Sequence, residues 1–339
     1  MKDMKVGFIG FGNMAQALAR GFVRTGALSP DRIGACARDA AKLRRNTEPH
    51  GFRAFDCAEE VAAFADVVIV AVKPHQVEPV VVPIRERLAG RIVVSVAAGV
   101  TFDDYERMLL PGTAHLSTVP NTPVAVGEGI IVCERRDSLS EGQCAAVEEL
   151  LSHVGMLFRV DTPLLGVAGT VCGCGPAFVA MFIEALGDAA VKHGIPRADA
   201  YRMASRMLAG TARLQLETDR HPGAMKDDVC SPGGTTIVGV AELERRGSTP
   251  WMPSRANGNR RRPLSPQCQT GAFPRSGKAP VLLVFGPEPL PHAQRASDAQ
   301  HGGRFDAVQG ADLLYGRAVL HGQVSQRVAR ADLVVAHGG

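Results

Sequence analysis

With 339 residues, 45% of them hydrophobic and 21% charged, the chain is long enough for two domains of ordinary size, each with its own core. A net charge of +4, with Lys and Arg scattered along the chain, leaves no concentrated basic footprint and so no case for nucleic acid. The first residues lack the cationic, apolar and small-residue series of a signal peptide, and no apolar run of spanning length is read further on, so a cytoplasmic protein without a membrane segment is expected. The eight cysteines lie singly or as Cys172-x-Cys174, without the paired spacing of structural zinc, so reduced thiols and no metal are expected.

Short β-branched runs at residues 5–9, 32–37, 67–72, 91–96 and 114–118 alternate with Ala-rich amphipathic stretches, among them 14–25, 58–64 and 102–109. That alternation is the sequence form of a parallel sheet with crossover helices. Further strands are expected at 129–134 and 156–160. After Asp161 the β runs stop. An apolar helix is expected over 176–193, ended by Gly194 and Pro196, and a second over 197–218. Two helices this apolar need another surface to bury against, and an intersubunit bundle supplies one, so a homodimer is expected. From about Ser248 the composition turns to Pro, Gly, Arg and Gln with weak periodicity, and the only strong apolar cluster is Val281-Leu282-Leu283-Val284-Phe285. The chain therefore divides into an α/β domain (1–161), an all-α domain (162–247) and an atypical, disordered extension (248–339).

Gly10-Phe11-Gly12-Asn13-Met14-Ala15 follows the first strand and opens the first helix, the context that makes such a loop a dinucleotide motif and the α/β domain a doubly wound Rossmann unit. The glycines allow the tight turn and the approach of a pyrophosphate, while the helix N-terminus offers free N–H groups. Ile9, Gly10, Gly12, Asn13 and Met14 are thus candidate cofactor residues. At the end of the second strand, Ala35-Cys36-Ala37-Arg38-Asp39 offers Arg38 to a 2′-phosphate, favouring NADPH; in the other reading Arg38 is solvated and Asp39 takes the ribose of NADH. Two further strand ends add Ala71, Val72, Lys73 and Pro74, then Ala97 and Ala98, and Pro120-Asn121-Thr122-Pro123 follows the next strand. In the helical half, Ser231-Pro232-Gly233-Gly234-Thr235-Thr236 precedes a short helix running to Glu244. Its N–H groups and hydroxyls suit a small carboxylate, although a plain helix cap has the same form.

This last segment, from His221 to Thr236, resembles the signature of the pyrroline-5-carboxylate reductases. Gly10-Phe11-Gly12-Asn13-Met14-Ala15, Ala71-Val72-Lys73-Pro74, Val119-Pro120-Asn121-Thr122-Pro123 and Gly175-Pro176-Ala177 match that family in order, over about residues 5–247. The resemblance implies NAD(P)H-dependent reduction of 1-pyrroline-5-carboxylate to L-proline, the last step of proline synthesis. It implies a substrate carboxylate on the backbone of Gly233, Gly234 and Thr235, the catalytic Thr236 hydroxyl at the imine nitrogen, and Asp228 and Ser231 in the substrate set. It implies too that this loop meets the nicotinamide site across a dimer, and that dimers build into a larger ring.

The chain departs from the family in several places. Cys172-Gly173-Cys174 stands where Ser-Gly-Ser is usual, either as a steric replacement or as a thiol-sensitive site with a lowered pKa. Phe178 replaces a Tyr, Ala58 replaces an Asn near the cofactor ribose, and Thr162-Pro163 replaces an acidic pair. The family's final helix is not recognisable after Gly247, which a change of reading frame or a lineage-specific extension would produce. Two other readings stay open: a β-hydroxyacid dehydrogenase-like oxidoreductase using Lys192, and a remnant that binds cofactor without turnover.

Overall fold

The strands β1 (Val6–Ile9), β2 (Ile33–Cys36), β3 (Arg53–Phe55), β4 (Val67–Val70), β5 (Ile92–Ser95), β6 (Ala114–Pro120), β7 (Gly129–Glu134) and β8 (Gly155–Val160) form one eight-stranded sheet in the order 3-2-1-4-5-6-7-8. The structure is a computed structural model and describes residues 4–245. The expectations for residues 248–339, including the apolar cluster at 281–285, lie outside the described residues. Pairings from β3 through β6 are parallel, β7 joins β6 antiparallel, and β8 joins β7 parallel. The chain builds outward from β1 in both directions, so the topological switch point lies between β1 and β4. Ligands of open α/β sheets bind at the carboxyl ends of the strands at that point.

Helices α1 (Asn13–Arg24), α2 (Ala40–Thr47), α3 (Ala58–Phe64), α4 (Val77–Val81), α5 (Arg85–Leu88), α6 (Phe102–Met108) and α7 (Glu141–Ser152) cover the two faces. Alternation along the strands divides the core accordingly. Phe8 and Ile69 pack with Leu18, Phe22, Leu116 and Leu150 on one side, and Ile9, Val68 and Val70 pack with Val61, Val81, Leu88 and Tyr105 on the other. β1 and β4 are buried along their whole length, which is why they read as continuous apolar runs.

The expected strands lie where the sequence placed them, within a residue or two at their ends. β3 was not anticipated, because three residues, two of them exposed, carry too little pattern. The larger difference is α8 (Thr162–Lys192), a 31-residue helix that begins fourteen positions before the expected start and runs through Pro176. Pro favours the first turn of a helix, so Pro176 reads as a beginning when it is in fact internal. The same misreading concealed an apolar segment. Contrary to the expectation of no spanning run, α8 is long and apolar enough, by length and composition, to cross a membrane.

Leu165, Ala168 and Cys172, at helical spacing, seat the first half of α8 on Val132 and Val160 of the sheet and on Val119. The second half packs on α9 (Arg197–Thr218), where Gly187 lies directly under the ring of Tyr201. Short helices α10 (Pro222–Asp228) and α11 (Thr235–Arg245) follow. Leu164, Val167, Val171, Val179, Met203, Met207 and Leu214 on α8 and α9 remain exposed.

Candidate active site

A cleft of about 890 Å³ opens at the carboxyl ends of β1, β2 and β4. Backbone bonds knit its floor: Ala71 N–H donates to Ile9 O at 2.8 Å, and Gly10 N–H to Cys36 O at 3.0 Å. Gly10 has φ +90°, and a Cβ there would come within 2.9 Å of the Ala71 carbonyl, so glycine is required both by conformation and by space. Gly12 faces open space and caps α1 with no side-chain acceptor, and the first turn carries no acidic residue. The result is a bare, partly positive helix N-terminus aimed at the cleft, a setting that fits a pyrophosphate. Every residue of the predicted cofactor set lines this cleft: Ile9, Gly10, Gly12, Asn13, Met14, Arg38, Ala71, Val72, Lys73, Pro74, Ala97 and Ala98.

At the β2 end the two alternatives for the ribose are not equivalent. The Asp39 carboxylate accepts the Lys42 N–H at 2.9 Å and caps α2, so one oxygen is already engaged. Arg38 is exposed on the same cleft wall. Thr122, from the motif after β6, lines the cleft as well, and so do Lys42, Asp56, Cys57 and Gln76, which were not singled out in the sequence. Asp56 and Cys57 follow β3, so the missed strand hid its own strand end. Lys42 stands one turn into a helix that no cofactor motif marks. Ala58, where the family commonly has Asn, also lines the cleft and offers only a methyl group. Burial pushes the Cys36 thiol up to about 11, so it is a packing group in this wall.

The loop that the resemblance assigns to the substrate stands apart from the cleft within one chain. Asp228, Ser231, Gly233, Gly234, Thr235 and Thr236 join α10 to α11; all are exposed except the half-buried Gly234, and none lines the cleft. Gly233 has φ +69°, the left-handed region that turns the chain into α11, and Gly234 N–H donates to Ser231 O at 3.0 Å. Asp228 pairs with Arg220 at 2.5 Å, and that hydrogen bond holds its carboxyl below the usual range. Cys172 is half-buried, and burial raises its thiol pKa, the opposite of what a reactive thiol at that position requires.

The family model described as pyrroline-5-carboxylate reductase dimerisation matches residues 163–254, and one described as NADP oxidoreductase, coenzyme F420-dependent, matches residues 5–99. The first runs a few residues beyond Gly247, where the motif resemblance stops. The pyrroline-5-carboxylate reductase of Treponema pallidum is 42% identical over 72% of this chain and 94% of its own length. That of Escherichia coli is 39% identical over 72% of this chain and 91% of its own. A solved structure of Plasmodium falciparum pyrroline carboxylate reductase with NADP bound superposes with a TM-score of 0.66 at 26% identity, covering 73% of this chain and 92% of that one. A dinucleotide cleft on the first half, a helical second half and near full-length relatives above 30% identity lead to one conclusion: the chain belongs to the pyrroline-5-carboxylate reductase family.

Proposed function

We propose that the chain reduces 1-pyrroline-5-carboxylate to L-proline with NADPH, as a homodimer. The observation that supports this most is the assembly of the whole cofactor set around one cleft in a chain spanning 94% of a named pyrroline-5-carboxylate reductase. When bound, NADPH supplies a hydride from its nicotinamide ring to the imine carbon. The chain's own residues then orient and exclude. The backbone of Ile9 to Met14 and the α1 N-terminus hold the pyrophosphate. Arg38 holds the 2′-phosphate, with Asp39 engaged as a helix cap; NADH is the weaker alternative.

On the substrate side, the backbone of Gly233, Gly234 and Thr235 takes the carboxylate, Asp228 and Ser231 shape the turn, and Thr236 hydrogen-bonds the nitrogen that ends protonated. Because this loop lies away from the cleft of its own chain, it serves the cleft of a second copy. The exposed apolar side chains of α8 and α9 form the shared surface, with residues 1–161 as the cofactor domain and 162–247 as the dimerisation domain. Proximity and exclusion of water carry the chemistry, since the cofactor delivers the reacting electrons.

The test is to follow NADPH oxidation by the full-length chain with pyrroline-5-carboxylate and with a panel of hydroxyacids, identifying the product by mass. Proline formed from the imine alone is expected. NADPH binding without turnover of any substrate would overturn the reading and leave a cofactor-binding remnant.

A further inference from the structure

Two family motifs far apart in sequence meet at a defect in α8. Pro176 has no N–H, so the carbonyl four residues earlier, that of Cys172, loses its regular α-helical donor. The missing donor comes from the residue that follows β6. Asn121 Nδ2 donates to Cys172 O at 3.2 Å, while Asn121 Oδ1 accepts Ile130 N–H at 2.9 Å, and the Asn121 side chain is more than nine-tenths buried. One turn earlier α8 already lies close to the same strand, where a Cβ on Gly169 would come within 3.1 Å of Val119 Cγ1. The end of β6 is itself anchored, by Thr118 Oγ1 donating to Ser95 O at 2.7 Å. Residues just past that anchor on β5, Ala97 and Ala98, line the cofactor cleft, as does Thr122 beside Asn121.

We propose that Asn121 is a positioning residue: its amide replaces the helix bond that Pro176 removes, and so holds the break in α8 in fixed register with the wall of the cofactor cleft. A proline in mid-helix is a place where the two halves can pivot. Here one half of α8 rides on the sheet and the other carries the helical domain. A clamp at the break therefore sets how the helical domain is presented to the cleft. This rests on the reading that the helical domain brings the substrate.

Asn121→Asp keeps the shape and the acceptor for Ile130 but removes the donor to Cys172. In the folded variant we expect kcat/KM for pyrroline-5-carboxylate to fall about tenfold, the scale of one lost buried hydrogen bond, with the NADPH dissociation constant within about twofold of the parent. Amide hydrogen exchange across residues 165–180 should accelerate. Adding Pro176→Ala returns an N–H to position 176 and should restore that protection. Unchanged exchange in Asn121→Asp, or a parallel loss of NADPH and substrate binding, overturns the proposal. If Asn121→Asp alone does not fold, recovery of folding in the double variant supports the clamp, and its absence overturns it. If the parent has no turnover, the reductase reading has failed separately, and the exchange measurement alone decides on the clamp.

Discussion

Arg38 and Asp39 show how a single hydrogen bond changes the meaning of a residue. Either could meet a ribose, yet the Asp39 carboxylate is held by the Lys42 N–H, while Arg38 stays on the cleft wall. Arg38→Gln is therefore expected to weaken NADPH binding by about 10-fold to 100-fold, the range of a charge-assisted contact, and to leave NADH nearly unaffected; fluorescence titration with both cofactors checks it, and an equal loss for both would make Arg38 a structural residue. Thr236→Ala should lower turnover by about 10-fold or more without a matching loss of NADPH affinity, because in the proposed site its hydroxyl meets the substrate and not the cofactor. Thiol chemistry separates two neighbours in the cleft wall. Cys57 is exposed there, whereas the buried Cys36 thiol titrates near 11. Since only an accessible thiolate reacts, iodoacetamide at one fixed pH should label the exposed Cys57 and spare the buried Cys36, and NADPH should slow the labelling; peptide mass mapping reads both.

Among the elements, α8 is the one whose start the sequence misplaced, and Glu134 explains how it begins where it does. This fully buried carboxylate, at the end of β7, accepts Phe102 N–H at 2.7 Å and the Thr162 hydroxyl. It thus stands at the N-termini of α6 and α8 together, where a negative charge is favoured. A carboxylate from the neighbouring strand β7 thus stands at the helix end that opens on Thr162-Pro163. Glu134→Ala would leave both part-buried donors without this acceptor. Its cost is expected to be about 2–4 kcal/mol in a denaturant titration; a change below about 0.5 kcal/mol would show that water replaces the carboxylate there.

At the scale of the molecule, the proposed cofactor set gathers around one cleft of a single chain, and the proposed substrate loop does not line it. Met207 and Leu214 of α9 are exposed in the single chain. Replacing both by Glu should dissociate the proposed dimer, because two uncompensated charges would enter an apolar surface. Sedimentation should then report monomers that still bind NADPH and no longer turn over pyrroline-5-carboxylate. Monomers that retain full turnover would sink the shared-site reading.

What the sequence determined by itself was the cofactor cleft. Its residues follow strand ends in local motifs, and a glycine with positive φ, such as Gly10, is demanded by the backbone immediately around it. The helical second half and the turn at Gly233 were legible for the same local reason. Only the tertiary structure decided the rest. It placed Lys42, Asp56 and Gln76 on the cleft through elements with no motif of their own, and engaged Asp39 as a cap. It carried α8 through Pro176, where Asn121, the residue just after β6, supplies the bond that a proline cannot make. Local backbone requirements are written residue by residue, whereas the partner of an unpaired carbonyl is chosen by the fold.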